Sequence, residues 1–185
     1  DVCSSDLFTL SSAVGWPVLI SKMINLSYRQ KVLPQDPDAI LQIVRSSGFF
    51  SPAEVEVAHE LVCDGLANAQ SSSYRFLFAQ YRKVVVGYTC YGLIPATAGS
   101  YDLYWIAVTD QMRGRGLGKN LLQKTENLIR GVEGRRLYAE TSSRDLYLPT
   151  RLFYEKSHYL REAVLVDFYA PGDSKIIYSK FLNDK

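Results

Sequence analysis

Hydrophobic and polar positions follow two periods along this chain of 185 residues. Over residues 24–31, Ile24, Leu26 and Tyr28 alternate with polar neighbours, the period of a half-buried strand. The period then becomes helical. Asp36 followed by Pro37 reads as an N-cap with proline at the first helical position, opening a short helix to Arg45 that stops before Gly48. Ser51-Pro52-Ala53-Glu54 has the form of a capping box, and Val55, Ala58, Val62, Leu66 and Ala69 recur at helical spacing, so a longer helix is predicted to about residue 70. From Tyr74 the strand period returns. Segments 74–81 and 84–94, joined by a tight Arg82-Lys83 turn, and 101–108, after a Gly/Pro/Thr loop, read as an antiparallel meander. A helix over 116–130 faces the sheet with Leu117, Leu121 and Leu128 and ends at Gly131 and Gly134. Strand 137–141 follows this helical crossover and should therefore pair parallel to the strand ending at Val108. Pro149 opens a last helix to about Ser157, and strands 160–168 and 175–181 flank a Pro171-Gly172-Asp173 turn. The pattern describes one α+β domain with a mixed sheet, without internal repeat or low-complexity linker.

Composition changes this picture little. The apolar and charged fractions are those of a globular domain, and a net charge of +2 by itself identifies no partner; neither a nucleic-acid nor a membrane partner is expected. The apolar run 13–20 is too short to span a bilayer and holds Gly15 and Pro17. Cys3, Cys63 and Cys90 form no Cys-x-x-Cys pair, so neither a metal site nor a disulfide framework is indicated and a cytoplasmic setting is the default expectation. The opening DVCSSDL resembles the translation of a sequencing-library adaptor. Residues 1–7 are read as non-native and 1–23 as a non-native or disordered extension, with Met23 a plausible start and the domain proper over 24–182.

Candidate chemistry concentrates in VTDQMRGRGLGKNLL, where an apolar strand runs through a glycine-rich turn directly into a helix. Closely spaced glycines let the backbone approach an anion, and the N–H groups and dipole of the helix start favour negative charge. Arg113, Arg115 and Lys119 add positive charge. An NTPase phosphate loop is excluded: Asn120 stands where Ser or Thr must follow Gly118-Lys119, and Arg113 occupies the place of the first glycine. A dinucleotide fingerprint is excluded because Lys119 takes the place of its last glycine.

Arg-x-x-Gly-x-Gly, read as Arg113, Gly116 and Gly118, does fit, and resembles the acetyl-CoA pyrophosphate loop of the GNAT superfamily of N-acetyltransferases. Phe153-Tyr154-Glu155-Lys156 with an aromatic at Tyr159 is similar to that family's second motif, and the order of elements over residues 24–181 matches its layout. The resemblance implies a GNAT fold: a mostly antiparallel sheet of six to seven strands with one splayed parallel pair and about four helices. It implies acetyl-CoA as cosubstrate, with pantetheine in the splay against the backbone of Ile106, Ala107 and Val108. It further implies pyrophosphate on the N–H groups of Arg113, Gly114, Arg115, Gly116, Leu117, Gly118 and Lys119, with N–H groups near Ile106 polarising the thioester carbonyl. Ser142 and Arg144, after the second splayed strand, are candidate cofactor contacts. Tyr154 stands where the family places a general acid for the departing thiolate, and Asp102 and Glu140 are alternative bases for the acceptor ammonium.

Three departures from the family pattern stand out. His158 replaces the glycine after the second motif, where a left-handed residue usually ends the helix; Tyr147 replaces a cofactor-contacting asparagine, and Thr150 a common alanine. Tyr104 and Trp105 alternate across their strand, so one is expected to line the pocket and the other to pack in the core, which one depending on where a bulge falls, and His59 reads as a surface or pocket-rim residue. Asp173 and Asp167-Phe168-Tyr169 could favour a cationic acceptor. The expected activity is transfer of acetyl to a primary amine of a small molecule or peptide, with a non-catalytic acyl-CoA-binding domain as the alternative. Exposed C-terminal strands could pair two subunits as a homodimer.

Overall fold

The computed structural model describes residues 26–69 and 71–183. The reading of residues 1–23, and of Ile24 in the first strand, falls outside them. Among the described residues seven strands form one sheet: β1 (Leu26–Arg29), β2 (Arg75–Tyr81), β3 (Val84–Leu93), β4 (Ser100–Val108), β5 (Arg136–Ser142), β6 (Leu160–Ala170) and β7 (Asp173–Phe181), in the order β1-β2-β3-β4-β5-β7-β6. The helices are α1 (Asp36–Ser46), α2 (Pro52–Ala67), α3 (Leu117–Arg130) and α4 (Leu148–Lys156). Every pairing is antiparallel except β4 with β5, as the α3 crossover requires.

Strand alternation builds a core on each face. β2 sends Phe76 and Phe78 to one side, where they meet Ile40, Val44 and Val62 of α1 and α2. Leu77 and Ala79 go to the other side, against Leu117 and Leu121 of α3. A third cluster joins Leu122 and Ile129 to Leu137, Tyr154 and Tyr178, fixing α4 against β5 and β7. Full burial of each large apolar side chain stabilises by roughly 1.5–3 kcal/mol. β6 is the exposed edge, with Leu160, Val166 and Phe168 largely in solvent.

Several local expectations are corrected. Asp36 does not cap α1: its carboxylate is fully buried, accepts from the Leu33 N–H at 2.7 Å and pairs with the Arg29 guanidinium at 2.5 Å, tying β1 to α1. The capping box of α2 is present, but the helix ends at Ala67 rather than near 70. His158 adopts the left-handed conformation itself, with φ 65°, and α4 ends as if a glycine were there: the Tyr159 N–H donates to Tyr154 O and the His158 N–H to Glu155 O, both at 3.0 Å.

One irregularity decides where the site lies. Cys90 pairs with Trp105 and Tyr91 with Leu103, so Tyr104 has no partner on β3 and β4 bulges there. A bulge bends its strand and increases local twist. The pairing of β4 with β5 accordingly ends at Leu103 and Ala139, although β4 continues to Val108 and β5 to Ser142. Beyond that point β4 stays on β3 and β5 stays on β7, and their facing edges are left without each other.

Candidate active site

The opened strands enclose a cavity of about 300 Å³. Trp105 to Val108 of β4 form one wall, Glu140 to Ser142 of β5 the other, and Tyr154 reaches in from α4. On the far side Tyr147 bridges to the α1–α2 connection and the first turn of α2, its one hydroxyl proton shared between Phe49 O at 3.1 Å and Glu54 Oε1 at 3.2 Å. Glu54 is thus both capping-box partner and cleft residue, a second role the sequence did not signal. The bulge also overturns the expectation that Tyr104 and Trp105 face opposite ways. Both front the cleft, and Trp105 in addition packs tilted against Phe50, ring centroids 5.2 Å apart.

At the mouth, Gly114 and Gly116 have φ 67° and 81°, and a Cβ on either would meet nothing within 4 Å. The conformation, not crowding, requires glycine, and the space before the loop is open. Gly116 is the N-cap of α3 and supplies no side-chain cap, so the first-turn N–H groups point out uncapped. Arg115 and Lys119 are exposed and make no ion pair among the described residues. Arg113 is different. Its guanidinium donates to Ser47 O at 2.9 Å, pairs with Asp110 at 3.0 Å and lies 4.6 Å over Phe49, so its side chain locks the loop to the α1–α2 connection.

Two buried polar atoms of residues lining the cleft, Trp105 Nε1 and Thr141 Oγ1, have no hydrogen-bond partner among the described residues. With the unmatched strand edges and the open glycine turn they suit an extended polar chain ending in an anion, which is the chemistry of a pantetheine pyrophosphate. Ser142 and Arg144 lie in the wall but are engaged elsewhere: the Ser142 hydroxyl donates to Asp173 at 2.5 Å and Arg144 pairs with Asp173 at 3.0 Å. Asp173 is buried and its charge is taken by Arg144, so it is not free to attract a cation as expected, whereas Asp167 accepts, among the described residues, only from the Gly172 N–H. His59 lines neither cleft cavity and sits 3.7 Å from Cys63 Sγ.

Tyr154 is 4% exposed and packed among Phe153, Tyr159 and Tyr178, with ring centroids 5.4–5.6 Å apart. Tyr159 donates to Glu126 and Tyr178 to Glu155, whereas the Tyr154 hydroxyl has no hydrogen bond among the described residues. Burial, and secondarily Glu140, push its phenol well above the usual value. Asp102, on the paired part of β4, is half-buried; burial first, then Glu140, raise its carboxyl above the ordinary range, and Lys175 opposes them. Glu140 lines the cavity and pairs with Lys175 Nζ at 2.7 Å. No local pattern marked Lys175. It reaches Glu140 only because β7 inserts beside β5, opposing Ser142 to Lys175.

A mixed sheet parted between its two parallel strands, with a glycine turn and helix start at the mouth, is the architecture of acyl-CoA-dependent acetyltransferases. A sequence profile of the acetyltransferase (GNAT) family matches residues 39–159, and the chain belongs to that family. It is similar to a Desulfovibrio desulfuricans protein described as a GNAT-family acetyltransferase, at 46% identity over 85% of this chain and 99% of that one, with a TM-score of 0.83. The fold is shared at lower identity with an aminoglycoside 6'-N-acetyltransferase solved with coenzyme A (18%, 86% and 98% covered, TM-score 0.67). The ribosomal-protein-S18-alanine N-acetyltransferase of Escherichia coli is likewise similar in fold (14%, 86% and 96% covered, TM-score 0.67). Among curated proteins none matches. Among the described residues no helix is long and apolar enough to cross a membrane.

Proposed function

We propose that this acetyltransferase moves the acetyl group of acetyl-CoA directly to a primary amine of a small molecule or peptide, both substrates being bound together. The supporting observation is the buried Tyr154, whose hydroxyl has no hydrogen bond among the described residues and which lines the cleft where the parallel strands part.

In this reading the α3 start, with Arg115 and Lys119, holds the cosubstrate's pyrophosphate, and Arg113 keeps the loop in place. Backbone N–H groups on the free edge of β4 near Ile106 orient the thioester carbonyl. Tyr154, kept protonated by its burial, gives its proton to the departing thiolate. An acceptor ammonium, with an unperturbed pKa of about 10, must first lose a proton. Asp102 suits that task better than Glu140. It makes no ion pair among the described residues and burial makes it a stronger base than an ordinary aspartate, whereas Glu140 is held by Lys175.

The test is thiol release from acetyl-CoA against a panel of amines, amino acids and peptides, comparing the protein with Tyr154→Phe and Gly116→Glu. Turnover abolished by both supports the reading. Retained CoA binding without turnover of any amine would favour the non-catalytic acyl-CoA-binding domain, and absent CoA binding would remove both.

A further inference from the structure

A second, larger cavity of about 560 Å³ opens beside the first. The two share Leu103, Tyr104, Trp105 and Glu140, so a ligand in the second ends against the walls of the first. Its sides are mainly apolar: Val57 and Leu61 from α2, Ile94 after β3, and Ile177 from β7. The charged residues lining it are two carboxylates, Asp102 and Glu140.

The charge of this cavity is smaller than two carboxylates suggest. Lys175 Nζ lies 2.7 Å from Glu140 and is itself held 4.0 Å over the Phe168 ring, so its charge is a fixed part of the site. Two negative charges and one positive leave one in excess. Of the nearby carboxylates, Asp173 is paired with Arg144, while Glu54 keeps its charge but lines the first cavity and not this one. One ammonium can be matched here. A second, set against Leu61 or Ile177, would be an unpaired charge in apolar surroundings.

We infer that the acceptor is a primary monoamine carried on an apolar body, its ammonium between Asp102 and Glu140 and its hydrocarbon part against Val57, Leu61, Ile94 and Ile177. This rests on the acetyl-transfer reading above and narrows it, setting polycations and polyhydroxylated amines apart from the preferred substrates. Each methylene buried in the cavity adds about fourfold to affinity.

The experiment uses the full chain with CoA or acetyl-CoA. Thiol release is measured with butylamine, hexylamine, phenethylamine, the six-carbon diamine, spermidine and kanamycin, and hexylamine binding to the CoA-loaded protein is measured by calorimetry. The expected result is kcat/KM rising about fourfold per methylene from butylamine to hexylamine, with the diamine and spermidine at least about tenfold below hexylamine. Lys175→Ala releases a second negative charge and should move the diamine-to-hexylamine ratio up by about tenfold. Faster turnover of spermidine or kanamycin than of hexylamine overturns the inference and leaves acetyl transfer standing. Saturable hexylamine binding without turnover of any amine keeps the monoamine site and overturns acetyl transfer. Neither binding nor turnover of hexylamine and phenethylamine, with CoA bound, overturns the inference.

Discussion

At the mouth of the cleft, the segment after β4 offers backbone: two glycines at positive φ, an uncapped helix start, and exposed Arg115 and Lys119. At its foot, the larger cavity offers side chains from α2, β4, β5 and β7, including a half-buried Asp102 and a Glu140 neutralised by Lys175. The mouth offers uncapped N–H groups, the kind of setting that suits an anion, and depends on conformation. The foot presents one unbalanced negative charge among apolar walls and depends on convergence. A recognition element made of backbone occupies a handful of consecutive positions, while one made of side chains is distributed over whatever strands the topology brings together.

Substitutions at either end sharpen this contrast. The largest effect is expected from Gly116→Glu: a left-handed non-glycine residue and a carboxylate at the helix start together should weaken CoA binding about 100-fold by calorimetry. The fold should survive, since a Cβ there meets nothing within 4 Å. Full CoA affinity in this variant would remove the anion role of the mouth. Tyr154→Phe keeps the ring among Phe153, Tyr159 and Tyr178, so the fall of about 100-fold should appear in kcat and not in the KM for acetyl-CoA. A matching rise in KM would instead mark Tyr154 as a packing residue.

At the foot, Asp102→Asn should lower kcat/KM by about tenfold and remove an acid-side limb from its pH profile. Stability provides an independent reading. Burial holds the Asp102 carboxyl above its ordinary value of 3.8, so the folded state takes up its proton more readily than the unfolded chain. The native carboxylate therefore costs stability as pH rises through that window. Asp102→Asn should raise Tm at neutral pH, with the gain vanishing near the ordinary carboxylate pKa; an equal gain at all pH values would argue against a buried charge. The smallest effect lies outside both regions. His158→Gly removes a left-handed non-glycine residue and should stabilise by about 1 kcal/mol in denaturant unfolding without changing kinetics.

The contrast between mouth and foot also marks what was legible in the chain. Gly114, Gly116 and the strand and helix around them carry their meaning in sequence, because φ preference and helix-start polarity are local properties. So do the Ser51 capping box, the Arg82-Lys83 turn, which has φ 49° and 70°, and the parallel sense of β5. Tyr154 is marked as a candidate in the sequence by its neighbours Phe153, Glu155 and Lys156. Asp36 misled because the Asp-Pro signal is also that of a cap, and only the approach of β1 turns its carboxylate to Arg29.

By itself, then, the sequence determined the order of elements, the glycine turn at the start of α3 and the tyrosine on α4, all products of short-range backbone preference and periodicity. Tertiary structure decided the rest. The bulge at Tyr104 parts β4 from β5 and turns both Tyr104 and Trp105 to the cleft. The insertion of β7 beside β5 brings Lys175 to Glu140, and the approach of α2 lays Val57 and Leu61 over the same cavity. Charge balance and shape at a site depend on distances between residues far apart in the chain, and those distances exist only once the sheet has been assembled.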